Sequence, residues 1–500
     1  MDRRQFLKSA TLGAAGSVLA GCGMEIASYE AFTAPAPSKA GQLRIGALGN
    51  LKDTIDPATA SGPATWAAIY AIFESLVITG PDGPVFQLAK RIEHNEDATL
   101  WTIYLRDQAT YSDGSAVSAL DVIRSYKYLA GKAPFAGLLE CLDLAKSKSF
   151  DETTAVLRLH EPRFDFIETV LAVISPVFKN GDPTSQVGSG PYVLDGGNAE
   201  SGWKFKANQH YPPAWRLSNG LEIHTINDAD KRIRALNAGD IDLAIDVSAN
   251  AEQLLMGDAE IWNAGAHDTR NLGFFLHTAS SPFDSQDARE AFKLAIDREK
   301  LAGVIFDGYG KPGNDLPGQE LQGFPRGLRK KRDKDEAKKI FDAASVQKLT
   351  ITTAELCPGM NDAAFLLVDQ FQEVGVELTV EEHDVSTYLS DFGPKQTQQV
   401  LAASLPNLKL ETAIALYGGP ESMFNLSGWG QEGDWPTELA EFASNDTDIE
   451  REDMIEQLAS TFADKGAFVL WGVRKSHHAR AKGIPNVHMH LGIPIVNAVS

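Results

Sequence analysis

The chain has 500 residues and a formal net charge of −21, with 46 Lys and Arg against 67 Asp and Glu. So acidic a surface excludes broad electrostatic binding to nucleic-acid phosphates or anionic lipid headgroups. The length suits two or three domains, and three cysteines in it exclude a disulfide-built scaffold.

At the N-terminus, Asp2-Arg3-Arg4-Gln5-Phe6-Leu7-Lys8 reads as a twin-arginine (Tat) export signal. The apolar stretch 10–20 that follows is too short to anchor in a bilayer and reads as the core of a signal peptide. Leu19-Ala20-Gly21-Cys22 matches a lipoprotein lipobox, in which Cys22 is lipidated and becomes the first mature residue. The expectation is a signal peptide over 1–21 on an extracytoplasmic protein, held to the cell membrane by the lipid on Cys22. Residues 22–41, with Ala-Pro-Ala-Pro and little periodicity, read as a flexible tether.

The folded body opens with an alternating strand over 43–48, then a turn at Asp53-Thr54-Ile55-Asp56-Pro57. Trp66, Ile69, Tyr70, Phe73 and Leu76 have helical spacing and predict a helix over 64–76, and 101–105 reads as a second strand. Ser118 and Asp121 form a capping-box variant at the start of a helix running to Gly131. Asp228 caps another helix that stops at Gly239, and 241–245 continues as a strand. Asp284 or Ser285 begins a helix whose Ala288, Phe292, Ala295 and Ile296 form one buried face. Strands and helices alternate without a fixed repeat, so the fold class is α/β with mixed sheets.

Motifs for catalysis or cofactors fail on context. Gly308-Tyr309-Gly310-Lys311-Pro312-Gly313 fits GxGxxG, but a helical pattern precedes it and Pro312 blocks a helix from opening there. Gln186-Val187-Gly188-Ser189-Gly190-Pro191 lacks nucleophile-elbow spacing. His477, His478, His488 and His490 form the densest histidine group; surface positions are the preferred reading, with a Zn, Ni or Cu site as the alternative. The basic run Arg326 to Lys334 reads as a solvated segment, and Cys141 and Cys357 as two unrelated buried thiols. No acid/base pair, nucleophile, metal set or cofactor loop emerges, which favours binding over catalysis.

Five ordered segments resemble family 5 solute-binding proteins of ABC importers, the group binding oligopeptides, dipeptides or nickel. They are Asp56-Pro57 with Phe73-Glu74-Ser75-Leu76; Tyr111-Ser112-Asp113-Gly114 through Asp121-Val122; Val187-Gly188-Ser189-Gly190-Pro191-Tyr192; Arg234-Ala235-Leu236-Asn237-Ala238-Gly239-Asp240-Ile241-Asp242; and Ser281-Pro282-Phe283 through Ala295-Ile296-Asp297-Arg298. The resemblance implies a periplasmic-binding-protein-like two-lobed clamp of type II with an extra subdomain. By analogy the first lobe covers 42–267 plus 472–500 and the second 268–471. It implies a monomeric receptor that is not an enzyme, carries no cofactor, and hands a peptide-like or other small polar solute to an ABC permease. A nickel or metal-chelate receptor is the alternative within the family, and an exported hydrolase the alternative outside it.

The same resemblance places ligand-facing candidates at Thr59, Ser61 and Gly62, at His277, and at Phe424, Asn425 and Trp429. His277 stands where the family usually has asparagine. Where the family's peptide binders carry a tryptophan and an Asp-Pro stretch that anchors the ligand amine, residues 401–412 have neither and bring Lys409 instead. Glu411 is the replacement anchor, with an exposed helix carboxylate as the other reading. Gly114, Gly190 and Gly239 are expected at tight turns, and Arg289 and Asp297 as helix anchors.

Overall fold

A computed structural model describes residues 24–28, 41–80, 83–265, 268–325, 330–391 and 398–497. The export signal and Cys22 lie outside them.

Three sheets organise the chain. A seven-stranded mixed sheet runs in the order Glu260–Trp262, His478–Arg480, Leu243–Ala244, Leu43–Ala47, Gly220–Thr225, Gly202–Ala207, Tyr192–Asn198. A five-stranded antiparallel sheet, ordered Met24–Ser28, Ala89–His94, Leu100–Leu105, Thr154–Arg158, Lys148–Ser149, belongs to the same half of the molecule. The other half is a six-stranded sheet, ordered Gly310–Pro312, Phe468–Lys475, Thr269–Leu276, Val400–Pro406, Lys348–Thr353, Glu377–Glu382. The α/β class with mixed sheets therefore stands as read, and the sheets divide the body into two lobes.

Local signals placed the helices well. Ser118 accepts from the Asp121 amide while Asp121 returns to the Ser118 amide, completing the box that starts Ala119–Ala130. Asp228 caps Ala229–Ala238, and Gly239 ends it with φ 76°. Ser285 precedes Gln286–Ala295, whose Ala288, Phe292 and Ala295 are buried in the second lobe with Phe274 and Phe371. Arg289 donates to the carbonyls of Phe283 and Lys465, and Asp297 caps the next helix through the Lys300 amide. Both are structural anchors.

Several boundaries differ from the sequence reading. The helix over 64–76 is Pro63–Ile72, because Phe73 turns extended and Leu76 bonds to the Ser175 carbonyl instead. The strand over 241–245 shortens to Leu243–Ala244. The stretch read as a tether contains the strand Met24–Ser28, paired antiparallel with Ala89–His94 and so covering an otherwise open sheet edge. The strand Phe468–Lys475 keeps its pairing with Thr269–Leu276 as far as Lys475, so the chain leaves the six-stranded sheet at Ser476 rather than after Trp471. Gly190 is not a positive-φ turn; a Cβ there would lie 2.7 Å from the Ala71 and Ile72 carbonyl oxygens, so close backbone approach explains it. Cys357 is buried and Cys141 half-buried, and they are not bridged.

Candidate functional site

The parallel strands of each lobe aim their carboxyl ends at the other lobe. In the first lobe, Leu43–Ala47 runs parallel to Gly220–Thr225 and Leu243–Ala244. In the second, Lys348–Thr353 runs parallel to Glu377–Glu382 and Val400–Pro406. Open α/β sheets bind ligands in the crevice outside the carboxyl ends of their strands, so the strand ends of the two lobes mark the candidate site.

The loops beyond those ends touch. Leu48 packs against Val385 and Leu389 in a small apolar cluster edged by Leu356. Asn50 Nδ2 donates to Ser390 Oγ at 3.0 Å, and the Leu51 amide donates to Ser386 Oγ at 3.1 Å. A second seam lies further along. There the Phe164 amide donates to the Ala443 carbonyl at 2.8 Å, and the π-helical turn Ile167–Leu171 packs on the helix Leu410–Gly418. Burial pushes the Glu168 carboxyl on this turn above its ordinary range, with Asp165 and Glu411 adding to the effect and Lys409 opposing it.

The first-lobe wall is built around Asp53. Its carboxylate accepts from the Ser61 amide at 2.9 Å, Ser61 Oγ at 2.9 Å and the Gly62 amide at 3.2 Å. Burial raises its pKa and these donors lower it, with burial prevailing. A Cβ on Gly62 would lie 2.5 Å from Gly49 Cα, so this position brings the loop against the strand end. Thr59 is exposed and bonds back to the Asp56 carbonyl and Thr54.

On the second-lobe wall the structure gathers His277, Phe424, Asn425 and Trp429 near one another. Thr278 donates to the Ser427 carbonyl through both its amide and its hydroxyl, tying the segment that follows Thr269–Leu276, with His277 in it, to the 424–429 loop. Asn425 is buried and braces that loop, donating to the Gly419 and Trp429 carbonyls and accepting from Ser427 Oγ at 2.7 Å. Trp429 stacks at a tilt on Trp435, 4.7 Å between centroids, and meets Phe462 edge-on; Phe424 meets Tyr417 edge-on. His277 is half-buried beside Ser280. Glu411 stands apart, at the start of Leu410–Gly418 by the second seam, paired with Arg451 at 3.0 Å. The sequence reading missed Asn50, Leu389, Ser386, Ser390 and Glu168, none of which carries a local signal.

Three of the four histidines read as surface residues are buried: His477, His478 and His490. The Thr79 amide and hydroxyl contact His490 Nδ1 at 3.1 and 2.8 Å, and His488 Nε2 meets the Thr79 carbonyl at 2.7 Å. The pair therefore docks the C-terminal hairpin. Among the described residues no group of three or more His, Cys, Asp or Glu side chains is placed to hold a metal ion. Burial pushes His490 down to about 3 from an ordinary 6.5. The unfolded chain then takes up a proton that the folded chain refuses, so stability is expected to fall as pH drops from about 6.5 toward 3. Acid unfolding of His490→Gln checks this: the variant should lose part of that slope, and an unchanged slope would contradict it.

A cavity of about 810 Å³ lies elsewhere in the second lobe, lined by Asp297, Lys311, Asn314, Gln319 and Lys330 among others. None of the candidate ligand-contact residues lines it.

Comparisons with known proteins fit this geometry. The family model for bacterial extracellular solute-binding proteins, family 5, middle region, matches residues 83–407. The probable D,D-dipeptide-binding periplasmic protein DdpA of Escherichia coli K12 is 22% identical over 353 residues, covering 66% of this chain and 68% of that one. Protein XP55 of Streptomyces lividans is 30% identical over 262 residues, 50% of this chain and 47% of its own length. Among solved structures, the binding protein AgaA of A. tumefaciens R10 in complex with agropinic acid aligns with a TM-score of 0.79 at 20% identity, covering 88% of this chain and 94% of that one.

Proposed function

Because the chain belongs to the bacterial extracellular solute-binding proteins of family 5, non-enzymatic receptors of ABC importers, we propose that it captures a peptide-like or other small polar solute between its lobes and delivers it to a membrane permease. The observation that carries this reading is the contact between loops beyond the carboxyl ends of the two lobes' parallel strands, Leu48 and Asn50 against Val385, Leu389 and Ser390. A solute that contacts both walls favours the shut state by its differential affinity, and the permease reads that state. The lobes are 42–267 with the C-terminal return, and 268 onward to the end of Phe468–Lys475. The lipobox and the twin-arginine run support export by the Tat pathway and tethering through Cys22, which keeps the receptor near the permease.

Thr59, Ser61 and Gly62 form the first-lobe contact, and His277, Phe424, Asn425 and Trp429 the second. A thermal-shift screen over short peptides, amino acids, oligosaccharides and metal chelates tests the reading. A true solute stabilises the fold by about 3 kcal/mol at a hundredfold excess over its Kd, and a panel without any stabilising compound would overturn it. Glu411→Ala is expected to weaken an amine-bearing solute about tenfold, read by calorimetric titration. Unchanged affinity would leave Glu411 as the partner of Arg451 alone.

A further inference from the structure

Three carboxyls among the described residues are held above their ordinary range chiefly by burial: Asp53, Glu168 and Glu355. Two of them are spent on the fold. Asp53 accepts from the Ser61 and Gly62 amides and from Ser61 Oγ, fixing the loop before Pro63–Ile72. Glu355 accepts from the Gly359 amide at 2.6 Å and the Asn361 amide at 3.0 Å, at the start of Met360–Glu373. Glu168 is the exception. Beyond a bond with its own backbone amide, its carboxylate has no ion pair and no hydrogen bond with any described residue.

Its place in the fold gives that exception a use. Glu168 belongs to the π-helical turn Ile167–Leu171, whose other side chains Ile167, Thr169, Val170 and Leu171 are buried; such turns recur at functional sites. The turn packs on Leu410–Gly418 of the second lobe, and nearby the Phe164 amide bonds to the Ala443 carbonyl, so the carboxylate stands where the lobes meet. The neighbouring acids already have cations. Asp165 is paired with Arg163 at 2.8 Å, and Glu411 with Arg451 at 3.0 Å. Lys409 is the positive charge that acts on Glu168, but it is exposed and not ion-paired to it. A carboxylate drawn out of water is costly until a positive charge with hydrogen-bond donors meets it. No side chain of the described residues does so.

The geometry points to Glu168 as the first-lobe anchor for a positively charged group of the solute, an ammonium or guanidinium held between the turn Ile167–Leu171 and the start of Leu410–Gly418. This rests on the capture reading and narrows its solute to one bearing a cation. In the open form water hydrates Glu168. Shutting over a neutral solute leaves the carboxylate dry and unmatched, whereas a cation matches it, so the same group attracts one class and rejects the other. Glu411 adds attraction from the second lobe, but its carboxylate is shared with Arg451, so Glu168 carries the larger effect.

Thermal-shift measurements with probes that differ by one positive charge test this: trialanine against N-acetyl-trialanine, and arginine against citrulline. In the wild type the charged member of at least one pair should raise Tm, and its neutral partner should not. Glu168→Gln should erase that difference. Calorimetric titration of the charged probe should then show affinity weakened about thirtyfold or more, the range for removing one partner of a desolvated charge pair, against about tenfold for Glu411→Ala. Without solute, Glu168→Gln should melt no lower than the wild type, because it neutralises a carboxylate that bonds no other residue. Asp165→Asn on the same segment should melt lower, because it breaks the pair with Arg163. Stabilisation by both members of a pair alike or by uncharged compounds only, a preference that survives in Glu168→Gln, or a Glu168→Gln chain that melts lower without solute would overturn the anchor and leave capture standing. A wider panel with no stabilising compound would end the capture reading, and the anchor with it.

Discussion

Replacing Arg298 with Met should cost about 3–5 kcal/mol of stability, the range for breaking one side of a buried ion pair. Arg298 Nη2 donates to both Asp315 oxygens, at 2.7 and 2.8 Å, with side chains 2% and 0% exposed. Its Nη1 donates to the Lys293 carbonyl and its Nε to the Leu470 carbonyl, so one guanidinium joins the start of Arg298–Ile305, the loop carrying Asp315 and the strand Phe468–Lys475. Met fills much of the volume but leaves Asp315 charged without its partner, and takes the Arg298 donors from the buried Lys293 and Leu470 carbonyls. Adding Asp315→Asn removes the stranded charge and keeps a residue tolerant of the local φ of 62°, so the double variant should recover part of the loss. Urea unfolding followed by circular dichroism reads both. A loss below about 1 kcal/mol in the single variant, the level of an exposed pair, would mean that this pair does not tie the second lobe together.

Leu389→Asp should abolish solute-dependent closure while leaving the solute-free protein folded. Leu48, Val385 and Leu389 are 8%, 7% and 8% exposed where the two lobes meet. A carboxylate at 389 would be desolvated in the shut state and hydrated in the open one, so its cost falls on closure. Solute affinity is then expected to drop about a hundredfold or more, near 2.7 kcal/mol, with little change in the melting temperature without solute. A core position would show the reverse, lost stability with or without solute. Retained affinity would mean that the Leu48 seam does not take part in capture.

What was legible in the sequence was local. The Ser118–Asp121 box, the Asp228 cap with its Gly239 stop, and the buried face of Gln286–Ala295 each depend on residues within a few positions, and each was readable from spacing. The five ordered blocks identified the family because most of them build turns, caps and close packing, as Gly190 under the Ala71 carbonyl shows. The seam was not legible. Asn50 and Ser390 meet across 340 positions, and no periodicity encodes which strand end will face which loop. The histidines were misplaced for a related reason. A His-His pair flanked by Ser476 and Ala479 is too short a pattern to report burial, and only the tertiary fold puts His478 against Asp268, 210 positions away. Met24–Ser28 was hidden because its short stretch gains order from the Ala89–His94 edge rather than from its own pattern.

The most direct test of a shutting receptor is to follow shape and chemistry together. Small-angle scattering of the protein with and without the solute that most raises its melting temperature, followed by mass spectrometry of the released compound, does both. The account predicts a smaller radius of gyration at saturation and a solute recovered intact. An unchanged radius at saturation, or a solute returned as a different molecule, would contradict it.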